Sequence, residues 1–203
     1  MKRILLLSLL CLTLLNPSVL AQSIDSIFVK LQVSELSLLS RNNRLDLLDY
    51  INCGQVGTVE NLFLGKTSLT KKTANYLHLE ATSVNRVEMI LLPQVTGDTI
   101  VAIISTLTSP VEVSRLRFYS LKGTLLHVDF NIPTLSELVV AGQSTMKKDL
   151  YFKLHVSLNF LYDEEILVCQ VSKNFFTIED EEDNSITFRE IRYKWNGHSF
   201  VME

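Results

Sequence analysis

Apolar and polar residues alternate with different periods along this chain, and each change of period marks a change of element. Ile4 to Leu15 is a nearly unbroken apolar run. Ile27, Leu31 and Ser34, followed by Leu36, Leu38 and Leu39, then carry a ragged stripe of helical spacing, which predicts a first helix. Ser40-Arg41-Asn42-Asn43 supplies capping residue types ahead of a second. In that helix Leu45, Leu48 and Ile51 share one face, Leu47 widens it, and Asn52-Cys53-Gly54 ends it. Asp46 near its start suits the positive end of the helix dipole.

From about residue 59 the period becomes two. Leu77, Leu79 and Ala81 alternate with Tyr76, His78 and Glu80, and Val87, Met89 and Leu91 alternate with Arg86, Glu88 and Ile90. Ile100-Val101-Ala102-Ile103-Ile104 is apolar at every position, as in a central strand covered on both faces, and Leu116 and Phe118 alternate with Arg115, Arg117 and Tyr119. Gly97-Asp98 and Ser109-Pro110 are turn signals between these strands. A helical interruption follows at Leu135, Leu138 and Val139, ended by Gly142. Strand alternation resumes at Leu154, Val156, Leu158 and Phe160, turns at Asp163-Glu164 and returns through Ile166 to Val171.

Asn196-Gly197 reads as a two-residue hairpin turn that pairs Trp195 with His198, Tyr193 with Phe200 and Ile191 with Met202. Ile186 and Phe188 are apolar on the opposite parity, so a bulge near Arg189-Glu190 is expected. The fold class is α+β: N-terminal helices followed by antiparallel meander sheets, joined by hairpin-length connections. Residues 22–203 form one domain, divisible into halves at 22–132 and 133–203 that each read as helix plus about four strands. No residue-level repeat establishes a duplication.

The first apolar run follows Lys2 and Arg3, is too short to span a bilayer, and ends in Val19-Leu20-Ala21 ahead of Gln22. Residues 1–21 therefore read as a cleavable signal peptide, and the mature chain as periplasmic or secreted. Removing Lys2 and Arg3 from 19 basic against 22 acidic side chains leaves a net charge of about −5, which argues against nucleic acid or an anionic membrane as the main partner. No later run approaches the roughly 20 apolar residues of a membrane span, so the mature form is expected to have no transmembrane anchor. Cys11 goes with the signal segment. Cys53 and Cys169 either form one disulfide, worth about 4 kcal/mol for so long a loop, or remain two separate buried thiols.

Three strings carry a resemblance: Asn42-Asn43-Arg44-Leu45-Asp46-Leu47-Leu48-Asp49, Leu91-Leu92-Pro93 and Arg117-Phe118-Tyr119-Ser120. With the signal segment, they resemble the secreted Bacteroidales proteins of domain-of-unknown-function family 3256. The resemblance covers most of the mature chain and implies an envelope address. It brings no activity and no site residues.

The acidic run Glu179-Asp180-Glu181-Glu182-Asp183-Asn184 lacks the alternating spacing of a calcium loop and reads as a solvated connection. His127 and Asp129 share a face of an extended segment, an arrangement able to orient an imidazole as a base, but no nucleophile elbow accompanies them. His78 and His155 fall on polar strand faces and read as surface residues. Arg44, Asp46 and Asp49 read as a structural Arg–carboxylate network holding helix to sheet. Tyr76, Arg115, Arg117 and Tyr119 are the candidate contact surface, since aromatic residues and arginine are enriched at interfaces. The chain is expected to be a non-enzymatic binding module of the bacterial cell envelope, needing no cofactor or metal and contacting a protein or cell-wall component. The alternative is an envelope hydrolase using His127 and Asp129.

Overall fold

The computed structural model describes residues 23–140, 155–172 and 187–203. The signal segment, Gly142, Leu154, Ile186 and the acidic run lie outside the described residues.

The first helix, α1 (Ile24–Lys30), is capped by Ser23, whose hydroxyl accepts the Ser26 N–H at 3.3 Å. It is shorter than the ragged stripe suggests. The backbone turns extended at Leu31 and Val33, and a single 3-10 turn follows at Ser34–Leu36. Leu31, Leu36 and Leu39 are all buried even so, because the break re-phases them toward the same core. The second helix, α2 (Arg41–Asn52), opens on a capping box: Ser40 Oγ accepts the Asn43 N–H at 3.1 Å and Asn43 Oδ1 accepts the Ser40 N–H at 3.1 Å. Its buried face is Arg44, Leu47 and Leu48, with Ile51 packed beside them. Leu45, expected inside, is 36% exposed, because the inward position is taken by a guanidinium that finds carbonyl partners there.

Seven strands follow as an unbroken meander: β1 (Thr58–Glu60), β2 (Lys66–Lys72), β3 (Tyr76–Thr82), β4 (Asn85–Pro93), β5 (Thr99–Leu107), β6 (Val113–Ser120) and β7 (Leu125–Leu126). Ile100 to Ile104 on β5 are all buried, as their apolar run on both faces requires. One face presents Leu77, Leu79, Val87, Met89, Val101 and Ile103 to α1 and α2. The other presents Tyr76, Ile90, Leu92, Ala102, Ile104 and Phe118 to a second sheet.

A short helix, α3 (Leu135–Leu138), leads to that sheet, which contains β8 (Val156–Leu161), β9 (Ile166–Val171), β10 (Ile191–Trp195) and β11 (Phe200–Met202) in the order β11-β10-β9-β8. Its strand β8 crosses the large sheet instead of running along it. The Leu158 N–H donates to Ser114 Oγ on β6 at 2.9 Å, and the Phe160 N–H donates to Glu88 on β4 at 3.1 Å. Tyr162 just beyond stacks on Tyr76 of β3 with centroids 5.2 Å apart, and Lys71 Nζ of β2 sits 3.9 Å over the Tyr162 ring. One strand thus touches four strands of the other sheet, the mark of an orthogonal packing. Each sheet is drawn from one half of the chain, but the first half carries seven strands where about four are expected, because β1, β2 and β7 extend the meander at its edges; both halves contribute to the second core.

The parity change expected at Arg189-Glu190 falls between an isolated bridge, Val139 to Phe188, and the start of β10, so Phe188 and Ile191 face the same core. The C-terminal hairpin differs from its expected register. Trp195 pairs with Phe200 and Tyr193 with Met202, a shift of two residues that leaves His198 in the loop. The loop widens because Asn196 Oδ1 accepts the N–H groups of His198 and Ser199, both at 2.9 Å. Gly197, at φ +92°, also brings its carbonyl to the Val95 N–H at 3.3 Å, where a Cβ would collide with the Val95 side chain. A shift of two keeps Ile191, Tyr193, Trp195 and Phe200 on one face.

Trp195 packs against Phe118 and Phe200 and donates its indole N–H to the Pro93 carbonyl at 2.6 Å, which ties β10 to the end of β4. It is half-buried, so Trp195→Ala is expected to cost about 2 kcal/mol, less than a fully buried aromatic. Thermal unfolding checks this, and an unchanged midpoint would contradict the packing.

Candidate functional site

A meander returns every second loop to the same end of its sheet. The β1–β2, β3–β4 and β5–β6 connections therefore share one end, and that end is apolar. Leu62 is 62% exposed, Phe63 78% and Leu64 81%, with Val84, Leu107 and Val113 between 39% and 45%. Scattered exposed apolar residues are ordinary, but three consecutive ones on a tip are not.

The tip is braced from below. Asn61 is 4% exposed, and its Oδ1 accepts the N–H of Phe63 at 3.0 Å and of Gly65 at 3.1 Å. Its Nδ2 donates to Thr67 Oγ1 at 3.2 Å, and that hydroxyl donates to the Ala81 carbonyl at 2.7 Å. The Leu62 N–H donates to the Leu38 carbonyl at 2.9 Å, and the Asn61 N–H to Gly65 at 2.8 Å. Leu64 is held at φ +61°, a left-handed conformation that costs a leucine on the order of 1 kcal/mol. A fixed backbone thus displays three large apolar side chains to solvent. None of the three belongs to an alternating or helical pattern in the sequence. The available signal was a conflict: Asn61 and Gly65 have turn chemistry, while Leu62-Phe63-Leu64 has core chemistry.

The residues nominated from the sequence lie elsewhere and do not form one surface. Tyr76 is buried between the sheets, on the face opposite to Arg115, Arg117 and Tyr119. Arg117 and Tyr119 both close on Glu35, at 3.0 Å and 2.9 Å, and so dock the 3-10 turn on β6; Arg115 is exposed. Burial raises the Glu35 pKa, but its backbone hydrogen bond, the Tyr119 and Ser34 hydroxyls and Arg117 together hold it below the usual carboxylate range. Arg44 is not part of an Arg–carboxylate network. Its Nη atoms donate to the carbonyls of Phe28 at 3.0 Å, Leu31 at 2.6 Å and Leu36 at 2.8 Å, while Asp46 and Asp49 are exposed. Those carbonyls lie where α1 ends and the 3-10 turn intervenes, which a sequence pattern does not show, and that of Leu36 also accepts the Leu39 N–H at 3.1 Å.

Cys53 is exposed and Cys169 buried, and both are free thiols; burial, with the Glu137 charge second, pushes the Cys169 thiol up to about 12. His127 and Asp129 are exposed in the irregular stretch after β7, whereas Leu126, Val128 and Phe130 turn into the second core. Neither lines a cavity of ≈ 380 Å³ beside Pro93, Phe160 and Trp195 or one of ≈ 330 Å³ beside Lys71, Tyr76 and His78, both at the seam between the sheets. His155 is exposed, as expected of a surface residue. His78 is half-buried, with Glu80 at 3.7 Å and the Thr70 hydroxyl at 3.3 Å from Nδ1; burial pushes its pKa down. Among the described residues no cluster of three His, Cys, Asp or Glu side chains is placed to hold a metal ion.

Among the described residues the one deeply buried acid is Glu88, 1% exposed, opposite His78 across β3 and β4. Its Oε2 accepts the Tyr76 hydroxyl at 2.9 Å and the Phe160 N–H at 3.1 Å, so it fastens β8 to the large sheet. Burial raises its pKa against the opposing effect of those two bonds and of Arg86. The folded state therefore holds this proton more tightly than the unfolded chain does. Stability from Glu88 is present below the usual carboxylate range and is lost as pH rises through its raised pKa. Glu88→Gln is expected to remove that loss and leave the protein at neutral pH as stable as the parent or about 1 kcal/mol more so. His78 acts with the opposite sign and lies opposite Glu88, so the comparison by urea unfolding between pH 4 and 8 is made with His78→Gln in both proteins. Identical pH slopes would contradict the assignment.

These observations define an α+β protein in which a seven-stranded meander lies between a helical layer and a crossed four-stranded sheet, with a braced apolar tip at one end. The same fold occurs in a domain of an uncharacterized protein from Porphyromonas gingivalis W83, with TM-score 0.73 and 17% identity over 88% of this chain and 96% of that one. Residues 16–200 match the family described as "Protein of unknown function (DUF3256)", and the chain belongs to it. No curated protein matches the sequence. No helix among the described residues is long and apolar enough to cross a membrane.

Proposed function

We propose that this chain is an exported, non-enzymatic binding module of the bacterial cell envelope, acting through the tip at Leu62, Phe63 and Leu64. The carrying observation is that buried Asn61, anchored to Thr67 through its Nδ2, uses its Oδ1 to fix the backbone of a turn that keeps three apolar side chains in water. An unfavourable exposure maintained by a dedicated buried polar group supports a surface made for contact. The signal segment gives the address, periplasmic or outside the cell.

The test combines two measurements on protein from the native envelope. Mass spectrometry is expected to find Gln22 at the N-terminus, and chemical crosslinking to recover the protein with an envelope component. A native protein retaining residues 1–21, or one that is uncrosslinked and turns over an envelope substrate through His127, would overturn the reading.

A further inference from the structure

We propose that the partner of the tip is a lipid bilayer surface, entered peripherally by Leu62, Phe63 and Leu64 with Val84 of the neighbouring β3–β4 turn beside them. This partner class presupposes the tip-mediated binding described above. Three observations favour lipid over a protein groove.

The first is shape. Consecutive side chains on a tight turn diverge, so Leu62, Phe63 and Leu64 cannot all fill one pocket, whereas a fluid apolar phase contacts all three. Their exposures of 62%, 78% and 81% describe a convex projection. The second is position. Lys66 opens β2 directly after the tip, and Asn43 ties the start of α2 to β1 through the Glu60 carbonyl at 3.0 Å. Exposed Lys66 therefore stands at the base of the tip, paired across β1 and β2 with exposed Glu60. A lysine beneath an apolar insertion suits the headgroup level of a bilayer. The third is rigidity. The turn backbone is fixed before contact by Asn61, so insertion costs little ordering of the loop.

Three inserted side chains are comparable with a single acyl chain, which binds reversibly with a partition constant of about 10⁴ M⁻¹. At about 1 mM accessible lipid, roughly nine-tenths of the protein is then bound. Flotation of the mature chain with vesicles is the test, using phosphatidylcholine alone and phosphatidylethanolamine with a minority of phosphatidylglycerol. The parent protein is expected to float with both, because apolar insertion and not surface charge drives the binding. The combined variant Leu62→Ser, Phe63→Ser, Leu64→Asn is expected to partition about a hundredfold more weakly. Asparagine suits the left-handed backbone at 64, and an unchanged melting midpoint certifies the variant's fold. Val95→Ser, at the opposite end of the sheet, is expected to float like the parent.

A parent protein that stays at the bottom with both vesicles, or a tip variant that floats equally well, overturns the lipid assignment. If the parent fails to float but a photoreactive residue at position 63 captures an envelope protein, lipid is wrong and the binding-module reading stands. If it captures nothing, both fall.

Discussion

Arg44→Ala is expected to destabilise the protein by about 4 kcal/mol, which lowers the melting midpoint by roughly 8 to 16 °C for a chain of this size. Arg44 is 2% exposed and donates to the carbonyls of Phe28, Leu31 and Leu36 at the break in the helical layer, the last of which also accepts the Leu39 N–H. Alanine leaves those acceptors buried and opens a cavity beside Phe28, whose ring lies 5.9 Å from the guanidinium. Lysine keeps the charge but not the planar fork, so Arg44→Lys is expected to recover only part of the loss. A midpoint within a degree of the parent for Arg44→Ala would show that the helical layer does not depend on this side chain.

Asn61→Ala is expected to cost about 3 kcal/mol, because it removes the acceptor of two backbone N–H groups and a buried donor together. Its second effect separates it from an ordinary core defect. Without Asn61 the amides of Phe63 and Gly65 lose their partner, so their hydrogen exchange is expected to accelerate far more than that of the β4 and β5 amides. Leu64 is then free to leave its left-handed conformation. Exchange at Phe63 that stays as slow as in the parent would show that the tip is not braced by this residue.

The strands β3 to β6 and β8 to β11 were legible in the sequence because their period-two patterns are set by two cores, and β5 was legible as central because every position from Ile100 to Ile104 is apolar, whereas the short β1 and β7 and the polar β2 carry no such pattern. The family was legible from the string around Arg44, yet the role of that arginine was not. Asp46 and Asp49 lie close to it in sequence, whereas the carbonyls it uses come from a helix break some 8 to 16 positions away. Tyr76, Arg117 and Tyr119 read as a surface because strand parity assigns faces without saying what covers them. The second sheet covers Tyr76, and the 3-10 turn at Ser34–Leu36 covers Tyr119 through Glu35. The hairpin register slipped by two because Asn196 was read for its backbone tolerance, while its side chain makes the turn. The tip was hidden for a related reason: Leu62, Phe63 and Leu64 resemble a short core strand until Asn61 is seen to hold them outside.

The most direct test of tip-mediated binding is site-specific photocrosslinking in the intact native envelope, with the photoreactive residue placed at Phe63 or at Val95 in otherwise identical chains. Both positions are apolar and exposed, and they lie at opposite ends of the large sheet. A binding module that acts through its braced tip predicts a discrete adduct, lipid or protein, from position 63 and little from position 95. Equal labelling at the two positions, or none at 63, would contradict it.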